Sequence, residues 1–299
     1  MREKSIYMTE LFMKCVWEEY AKTLKLKKTR SNYFYNICSL CDFAKADFLQ
    51  IDEEMALAYF DMCRHTDSRP TNKTMHTWLS CYRSIGRYIM GHCRNLPQMS
   101  EYKSPFETIY LTDYSDDIQA SELPSEAELE KIMETAAGWS DNGQMYLILL
   151  FATKCAMTPG EIRSLTPEKI KVDAAGRGFV VFKDKKRIHD RIVKVPSVIM
   201  DYLCDHEDIF EQRETLFLNE KGKPLSERSL QNHIRKLMEN AGMDKMYTLQ
   251  DIRNLSIAKM LFYGATEEET AEYVGIEQRW MYRYSRILPE LDCAPCDRM

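Results

Sequence analysis

The spacing of apolar residues predicts that the first third of the chain is helical. Apolar side chains recur at helical spacing over residues 8–21. Asp52 precedes two glutamates, which is typical of a helix N-cap followed by an acidic first turn. The buried stripe of that helix is predicted to consist of Met55, Ala58, Tyr59 and Met62. An aromatic helix between these two and another over about residues 71–93 bring the predicted total to four helices.

The pattern changes after this helical region. Residues 97–124 contain three prolines and the acidic run 113–117 without a clear period, which indicates a linker. Ser125 is followed three residues later by Glu128, a capping box that predicts a helix over 126–137. We therefore expect a domain over residues 1–100, a linker over 101–124 and a second domain over 125–299.

The second domain is predicted to mix helices with a small sheet. Residues 144–155 are almost wholly apolar and predict a buried helix that ends before Pro159-Gly160. Residues 178–182 and 191–195 are β-rich and flank a charged turn, which predicts a hairpin. Later helices are predicted over about residues 197–205, 226–241, 249–263, 267–274 and 278–286.

Composition narrows the class of protein. No apolar run approaches the ~20 residues that cross a bilayer, and residues 1–20 lack an export-signal pattern, so we expect a cytoplasmic protein with no membrane partner. The net charge is −5, but residues 1–103 hold 16 Lys+Arg against 12 Asp+Glu, while residues 104–135 hold one lysine against nine acids. Because phosphate contacts depend on local charge, the acidic total does not exclude a nucleic-acid partner.

The order of motifs in the second half resembles the tyrosine recombinase (phage integrase) family. The matching segments are LPSEAELEKIM, LILLFATKCAMTPGEIRSLTPEKI, the hairpin, TLFLNEKGKPLSERSLQNHIRKL, TLQDIRNLSIAKMLFYGA and TAEYVGIEQRWMYRYSRI. The resemblance implies a mainly α fold: a helical core-binding (SAM-like) N-terminal domain and a mixed α/β catalytic domain with a small β-hairpin or sheet. It also implies a double-stranded DNA partner, with cytoplasmic, nucleoid-associated localisation.

The family's reaction assigns roles to particular residues. A tyrosine hydroxyl attacks a DNA phosphate to form a 3′-phosphotyrosyl link, without a metal or nucleotide cofactor, and cations stabilise the developing charge. Tyr284 matches the nucleophile, with Tyr282 as an alternative, and Arg253 matches the second arginine. Lys186 on the hairpin matches the lysine that protonates the leaving oxygen, with Lys183 and Lys185 as alternatives.

Three positions depart from the family pattern. Thr158 stands where the family has its first arginine, Gln250 where it has histidine, and Ile276 where it has a second histidine-like donor. Glutamine can donate a hydrogen bond but cannot act as an acid or base near neutral pH. The sequence therefore predicts an impaired active site, or a rearranged one in which Arg163 or Arg279 assists; Trp280 is expected to be a core residue.

Two further features of the sequence are its basic segments and its paired cysteines. A basic segment covers Lys22, Lys25, Lys27, Lys28 and Arg30, and a second set on the fourth helix comprises Lys73, Thr74, His76, Arg83 and Arg87; both are predicted DNA contacts. The pairs Cys38/Cys41 and Cys293/Cys296 lie too far apart along the chain to favour a zinc site, which needs four ligands. The predicted role is DNA binding for a mobile element, by a homo-oligomer or with a partner recombinase.

Overall fold

The chain divides into two compact units, Met1–Asp116 and Asp117–Met299. Each unit contains its own buried apolar core, and each is described by itself. The computed structural model describes residues 3–65, 70–111, 117–183, 190–210 and 213–291.

Helices make up the regular structure described in the N-terminal unit. They are α1 (Glu10–Phe12), a π-helical turn (Met13–Trp17), α2 (Glu18–Thr23), α3 (Lys27–Ala44), α4 (Glu53–His65) and α5 (Asn72–His92), with short 3-10 turns at Phe48–Gln50 and Pro97–Met99. The prediction of helices here is confirmed, since α1, the π turn and α2 follow one another without a break. Asp52 caps α4 as predicted, because its Oδ1 accepts from Met55 N at 2.8 Å.

The buried stripe of α4 differs from the prediction by about one position. Ala56, Tyr59, Phe60 and Cys63 are buried. Ala58, predicted to be buried, is exposed, and Met55 and Met62 are only partly buried. The large ring of Phe60 is 1% exposed, and burying it favours the helix face that also carries Ala56 and Cys63.

Part of the predicted linker packs into the N-terminal core. Phe106 and Ile109 are 0% and 1% exposed, and the ring of Phe106 lies 5.3 Å from those of both Phe48 and Tyr82. Arg83 donates from Nε to Phe106 O at 2.9 Å and from Nη2 to Ile109 O at 2.6 Å. The segment from Phe106 to Ile109 is therefore fixed by its contacts with the N-terminal core.

The C-terminal unit contains nine α-helices and three strands within its described residues. They are α6 (Glu126–Ala137), α7 (Gln144–Cys155), α8 (Pro159–Arg163), β1 (Ile170–Val172), β2 (Gly178–Phe182), β3 (Arg191–Val195), α9 (Ser197–Asp205), α10 (Glu207–Phe210), α11 (Glu227–Asn240), α12 (Leu249–Phe262), α13 (Glu267–Val274) and α14 (Tyr282–Ser285). Short 3-10 turns lie at Ala120–Glu122, Pro167–Lys169, Gln278–Trp280 and Leu288–Glu290. The predicted capping box of α6 is present, with Glu128 N donating to Ser125 Oγ at 3.3 Å and Ser125 N to Glu128 Oε2 at 2.8 Å.

The sheet and α7 organise the core of this unit. The three strands are antiparallel in the order β1-β2-β3, and Val180 pairs with both Ile170 and Val193. The predicted hairpin is confirmed, but β1 was not predicted, because three residues are too short for an alternating pattern. Nearly all of α7 is buried, as its apolar sequence indicates. The mixed α/β prediction is confirmed.

Candidate active site

Arg253 lies at the centre of the candidate site, on the second turn of α12. A capping box fixes the start of this helix: Thr248 N donates to Asp251 Oδ2 at 2.8 Å, and Asp251 N to Thr248 Oγ1 at 3.2 Å. Arg253 is 4% exposed. Its Nε donates to Ala156 O at 2.7 Å and its Nη2 to Val274 O at 3.0 Å. The guanidinium is therefore held by two backbone segments.

Burial and charged neighbours shift the pKa of Arg253. Burial lowers the pKa of Arg253 from its ordinary value; Tyr284 and Glu161 oppose this shift, and Arg191 adds to it. An arginine stays protonated in proteins near neutral pH despite such a shift. The site therefore contains a buried cation.

Tyr284 lies close to this cation. It is 5% exposed, whereas the alternative Tyr282 is 44% exposed. Burial raises the pKa of Tyr284, against the opposing positive charges of Arg253 and Arg283. The phenol is therefore neutral near pH 7, and its hydroxyl donates to Asn254 Oδ1 at 3.2 Å.

Gln250 reaches the same acceptor as Tyr284. Its Nε2 donates to Asn254 Oδ1 at 2.9 Å, so Asn254 joins Gln250 to the phenol. Asn254 was not among the predicted site residues. Its positions next to Arg253 and one turn after Gln250 are the features from which this contact could have been inferred.

The Thr158 side chain caps the start of α8. Its Oγ1 accepts from Glu161 N at 3.2 Å, and its own N donates to Glu161 Oε2 at 2.7 Å, which is a capping box. The other oxygen of Glu161 forms an ion pair with Nη1 of Arg191. The position where the family has an arginine is thus tied, through Glu161, to an arginine from a different element.

Sequence reasoning missed Arg191, the first residue of β3. Its side chain is 6% exposed, and its Nε donates to Tyr273 O at 2.6 Å. Arg191, Val193 and Val195 alternate inward along the strand. This period was visible in the sequence, and an arginine at a core-facing position requires a carboxylate partner.

The loop after α13 brings Gly275 against Arg191. Gly275 has φ +75°, and its N and that of Ile276 both donate to Ala271 O at 3.1 Å, which ends α13. A Cβ at Gly275 would lie 3.0 Å from Cδ of Arg191. Ile276 packs with the apolar cluster around Tyr284. Trp280, expected in the core, is 39% exposed.

The remaining predicted residues of this unit lie on the surface, in a groove or outside the described residues. Lys186 and Lys185 are outside the described residues, while Lys183 is described and exposed after β2. Arg279 pairs with Glu277 at 2.8 Å, with 71% of its side chain exposed. Arg163 lines a groove of about 670 Å³ between α8, α11 and the start of α12, which also includes Gln250.

The basic residues of the N-terminal unit lie on its surface. Lys22, Lys25, Lys27, Lys28, Arg30, Lys73 and Arg87 are exposed. Lys22 pairs with Glu19 at 2.6 Å, and Arg87 with Glu107 at 2.7 Å. Thr74 and His76 are half-buried. Arg83 is engaged by the two carbonyls described above. Their roles as DNA contacts stay predictions.

The described cysteines of the predicted pairs are core residues. Cys38 and Cys41 are fully buried in α3, and burial raises the pKa of the Cys41 thiol. Cys293 and Cys296 lie outside the described residues. In the part of the chain that the structure describes, no group of three or more acidic, histidine or cysteine side chains is arranged to hold a metal. Within the same residues, no helix has the length and apolar character needed to span a bilayer.

Solved structures with a similar fold are recombinases. The Tn1549 transposon integrase in complex with circular intermediate DNA has a TM-score of 0.68 at 13% identity, covering 95% of this chain and 96% of that one. XerH in its post-cleavage complex with palindromic difH has a TM-score of 0.67 at 15% identity, covering 94% of this chain and 84% of that one. A lambda integrase dimer bound to a COC' core site has a TM-score of 0.66 at 15% identity, covering 89% of this chain and 96% of that one.

Sequence comparison identifies the family. No curated protein matches the chain significantly. The model of the phage integrase family matches residues 124–279, which is more than half of the chain. With the fold shared by the three recombinases, this match means that the chain belongs to the phage integrase family, the tyrosine recombinases.

Proposed function

We propose that this chain binds a specific double-stranded DNA site and cleaves it poorly or not at all, acting as an accessory or regulatory protein of a mobile element. In this proposal the N-terminal unit is the core-binding domain and the C-terminal unit the catalytic-like domain. The observation that carries it is the composition of the site: Arg253 and Tyr284 are together, but Thr158, Gln250 and Ile276 replace three charge-stabilising groups.

Support for DNA binding comes from the relatives and from the basic segment. All three similar structures were solved with DNA. Lys27 and Lys28 occupy the first turn of α3, which has no acidic residue there and no side-chain cap. Positive charge at a helix N-terminus is unfavourable by ~0.3–1 kcal/mol per residue, and a bound phosphate would reverse that effect.

Weak catalysis is supported by the hydrogen bonds that the replacing residues make. The Thr158 hydroxyl caps α8, and the Gln250 amide bonds to Asn254, so neither brings a cation or a proton donor of suitable pKa. Losing a single preorganised oxyanion donor slows related reactions by ~10²–10³-fold. The Tyr284 hydroxyl also donates to Asn254, and that bond must break before the oxygen can attack.

The DNA-binding proposal is tested by selection from a random-sequence duplex library. We expect a defined sequence to be enriched and its affinity to fall steeply with salt, because lysines and arginines displace counterions from phosphates. Enrichment of no sequence, or affinity that does not change with salt, would overturn the proposal. The lambda integrase relative is a dimer on its core site, so the stoichiometry on the selected duplex tests the proposed homo-oligomer.

Impaired cleavage is tested on the same duplex carrying a nick that traps the covalent intermediate. We expect no adduct, or one formed very slowly. Rapid formation of a protein–DNA adduct that disappears in Tyr284→Phe would contradict impairment. It would support the second candidate, an active recombinase with a rearranged site in which Lys186, Arg253 and Tyr284 suffice. The observation that favours this candidate is a second guanidinium, Arg191, beside Arg253.

A further inference from the structure

The strongest unassigned feature of the molecule is the pair of buried arginines. Arg191 comes from β3 and Arg253 from α12, and they are 7% and 4% exposed. Their Nε and Nη2 atoms donate to the consecutive carbonyls of Tyr273 and Val274, respectively, at 2.6 and 3.0 Å. Two guanidiniums from different elements are therefore anchored side by side on the last turn of α13.

Glu161 lies with these two cations. Glu161 forms an ion pair with Arg191, and it also acts electrostatically on Arg253. Tyr284 is neutral near pH 7, since burial raises its pKa. Arg253 itself donates to the uncharged carbonyls of Ala156 and Val274. Buried charges are costly unless they are paired, so the cluster favours an anion.

We propose that Arg191 supplies the second cation of the phosphate site, replacing the arginine that the family carries at the position of Thr158. This inference rests on the proposed function, because the anion is then a phosphodiester of the bound DNA beside Tyr284. Arg191 acts on the phosphate through its charge.

The surroundings of Arg191 fit this role. The Phe182 ring centroid lies 5.4 Å from the guanidinium carbon, and the absence of a side chain at Gly275 leaves room for Cδ and Nη1. The Phe182 ring shields the guanidinium from water without neutralising it. A charge in such an environment interacts more strongly with an anion than it would in water.

A purely structural ion pair predicts a different response to mutation. Arg191→Gln and Glu161→Gln both break the same pair. If the pair only held α8 and β3 together, both changes would act in the same direction. If Arg191 is a phosphate-site cation, Arg191→Gln removes positive charge and Glu161→Gln removes the competing negative charge, so their effects on anion binding have opposite signs. Glutamine also preserves the capping box with Thr158.

The probe is inorganic phosphate, titrated into the full chain labelled with ¹⁵N-arginine and observed through the Nε–H signals. The structure makes these signals observable, since Nε of Arg191 and Nε of Arg253 are buried and hydrogen-bonded. We expect both signals to shift with one Kd. We expect Arg191→Gln to weaken that Kd about tenfold, the size of one charge-assisted interaction, and Glu161→Gln to tighten it.

Controls separate charge from folding. Arg177 lies in the same sheet region with 78% of its side chain exposed, so Arg177→Gln should leave the phosphate Kd unchanged. Should Arg191→Gln fail to fold, Arg191→Lys, which keeps the charge, must retain binding, and Glu161→Gln must still tighten it. Weakening by both glutamine variants, or an Arg191 signal that phosphate does not shift, overturns the inference. DNA selection tests the proposed function separately, since the phosphate titration uses no DNA.

Discussion

The hydroxyl of Tyr284 donates to Oδ1 of Asn254 at 3.2 Å, in a site where both side chains are at least partly buried. Gln250 donates to the same oxygen. In this state the phenol is tied to α12 by a bond to an amide oxygen, which does not take up its proton near neutral pH. Its position is therefore stabilised by a bond that cleavage would have to break.

The strength of this bond can be measured by a double-mutant cycle. Asn254→Leu leaves a buried phenol without its acceptor and should lower the free energy of unfolding by ~1–3 kcal/mol. In Tyr284→Phe the same substitution should cost less, with a coupling energy of ~1 kcal/mol. Denaturant titration of the four proteins gives this quantity. Additive effects would show that the two residues do not interact in solution.

Restoring the missing arginine should increase cleavage. Thr158→Arg places a guanidinium where the family has one, and we expect adduct formation on the nicked duplex to rise by up to ~10²-fold. The same change removes an N-cap, which costs ~1 kcal/mol. Thr266→Arg is the matched control, because Thr266 caps α13 through Glu269 in the same way. Equal adduct yields from both variants would contradict a specific role for position 158.

Alkaline pH should destabilise the C-terminal unit through Tyr247. Burial and its hydrogen bond to Glu128 raise the pKa of Tyr247 to about 12, from an ordinary value of 10.0. Its contribution to stability is complete below pH 10. As pH rises from 10 to about 12 that contribution is lost, because the unfolded chain releases the proton first. The measurement is Tm against pH.

Tyr247→Phe should reduce this loss of Tm, while Tyr263→Phe, a change at a half-exposed residue, should not. An unchanged alkaline profile in Tyr247→Phe would argue against the hydrogen bond at 2.9 Å between its hydroxyl and Glu128.

Asp47 should be a main stabiliser of the N-terminal unit. It is 2% exposed and accepts from Thr9 N at 2.6 Å and from Leu49 N at 2.9 Å, joining the start of α1 to the turn after α3. Asp47→Ala leaves two backbone donors unpaired, and we expect a loss of ~2–4 kcal/mol. Asp61→Ala, at a side chain that is 69% exposed, should change stability by less than ~0.5 kcal/mol. Similar effects of the two changes would count against this role.

Charge reversal at the start of α3 should separate DNA binding from stability. Lys27→Glu with Lys28→Glu should weaken binding to the selected duplex and reduce its salt slope by up to ~0.9 per lost phosphate contact. The same change should leave Tm unchanged or raise it, because acidic residues suit a helix N-terminus. Lys14→Gln, which removes an exposed lysine paired with Glu10, is the control for affinity. A preserved salt slope in the double variant would rule out contacts from this segment.

Local rules predicted most of the fold. The Ser125–Glu128 capping box, the apolar run of α7 and the β2–β3 hairpin each depend on neighbouring residues, and each is present in the structure. The strand β1 was missed because its three residues carry no distinctive pattern. The burial of Phe106 was missed because it depends on contacts with residues such as Phe48, far away in the chain.

The site was less predictable for the same reason. Motif positions indicated Tyr284, Arg253 and the three replacements, but the roles of these residues stay predictions. The ion pair between Glu161 and Arg191 joins residues thirty positions apart, and no spacing rule connects the first turn of a helix with a strand. The inward alternation of β3 is the feature from which a partner for Arg191 could have been inferred.

The anchoring of both arginines on α13 has a consequence for how this helix can vary. Arg191 and Arg253 bind carbonyl oxygens of Tyr273 and Val274, so they recognise main-chain atoms that every amino acid provides. Exposed side chains of α13, such as Glu268 and Glu272, are therefore free to diverge among related proteins while the two guanidiniums keep their places. Gly275 is the exception, since its positive φ and its contact with Arg191 leave no room for a side chain. We expect a lineage of this protein to retain that glycine longer than the exposed positions of the helix before it.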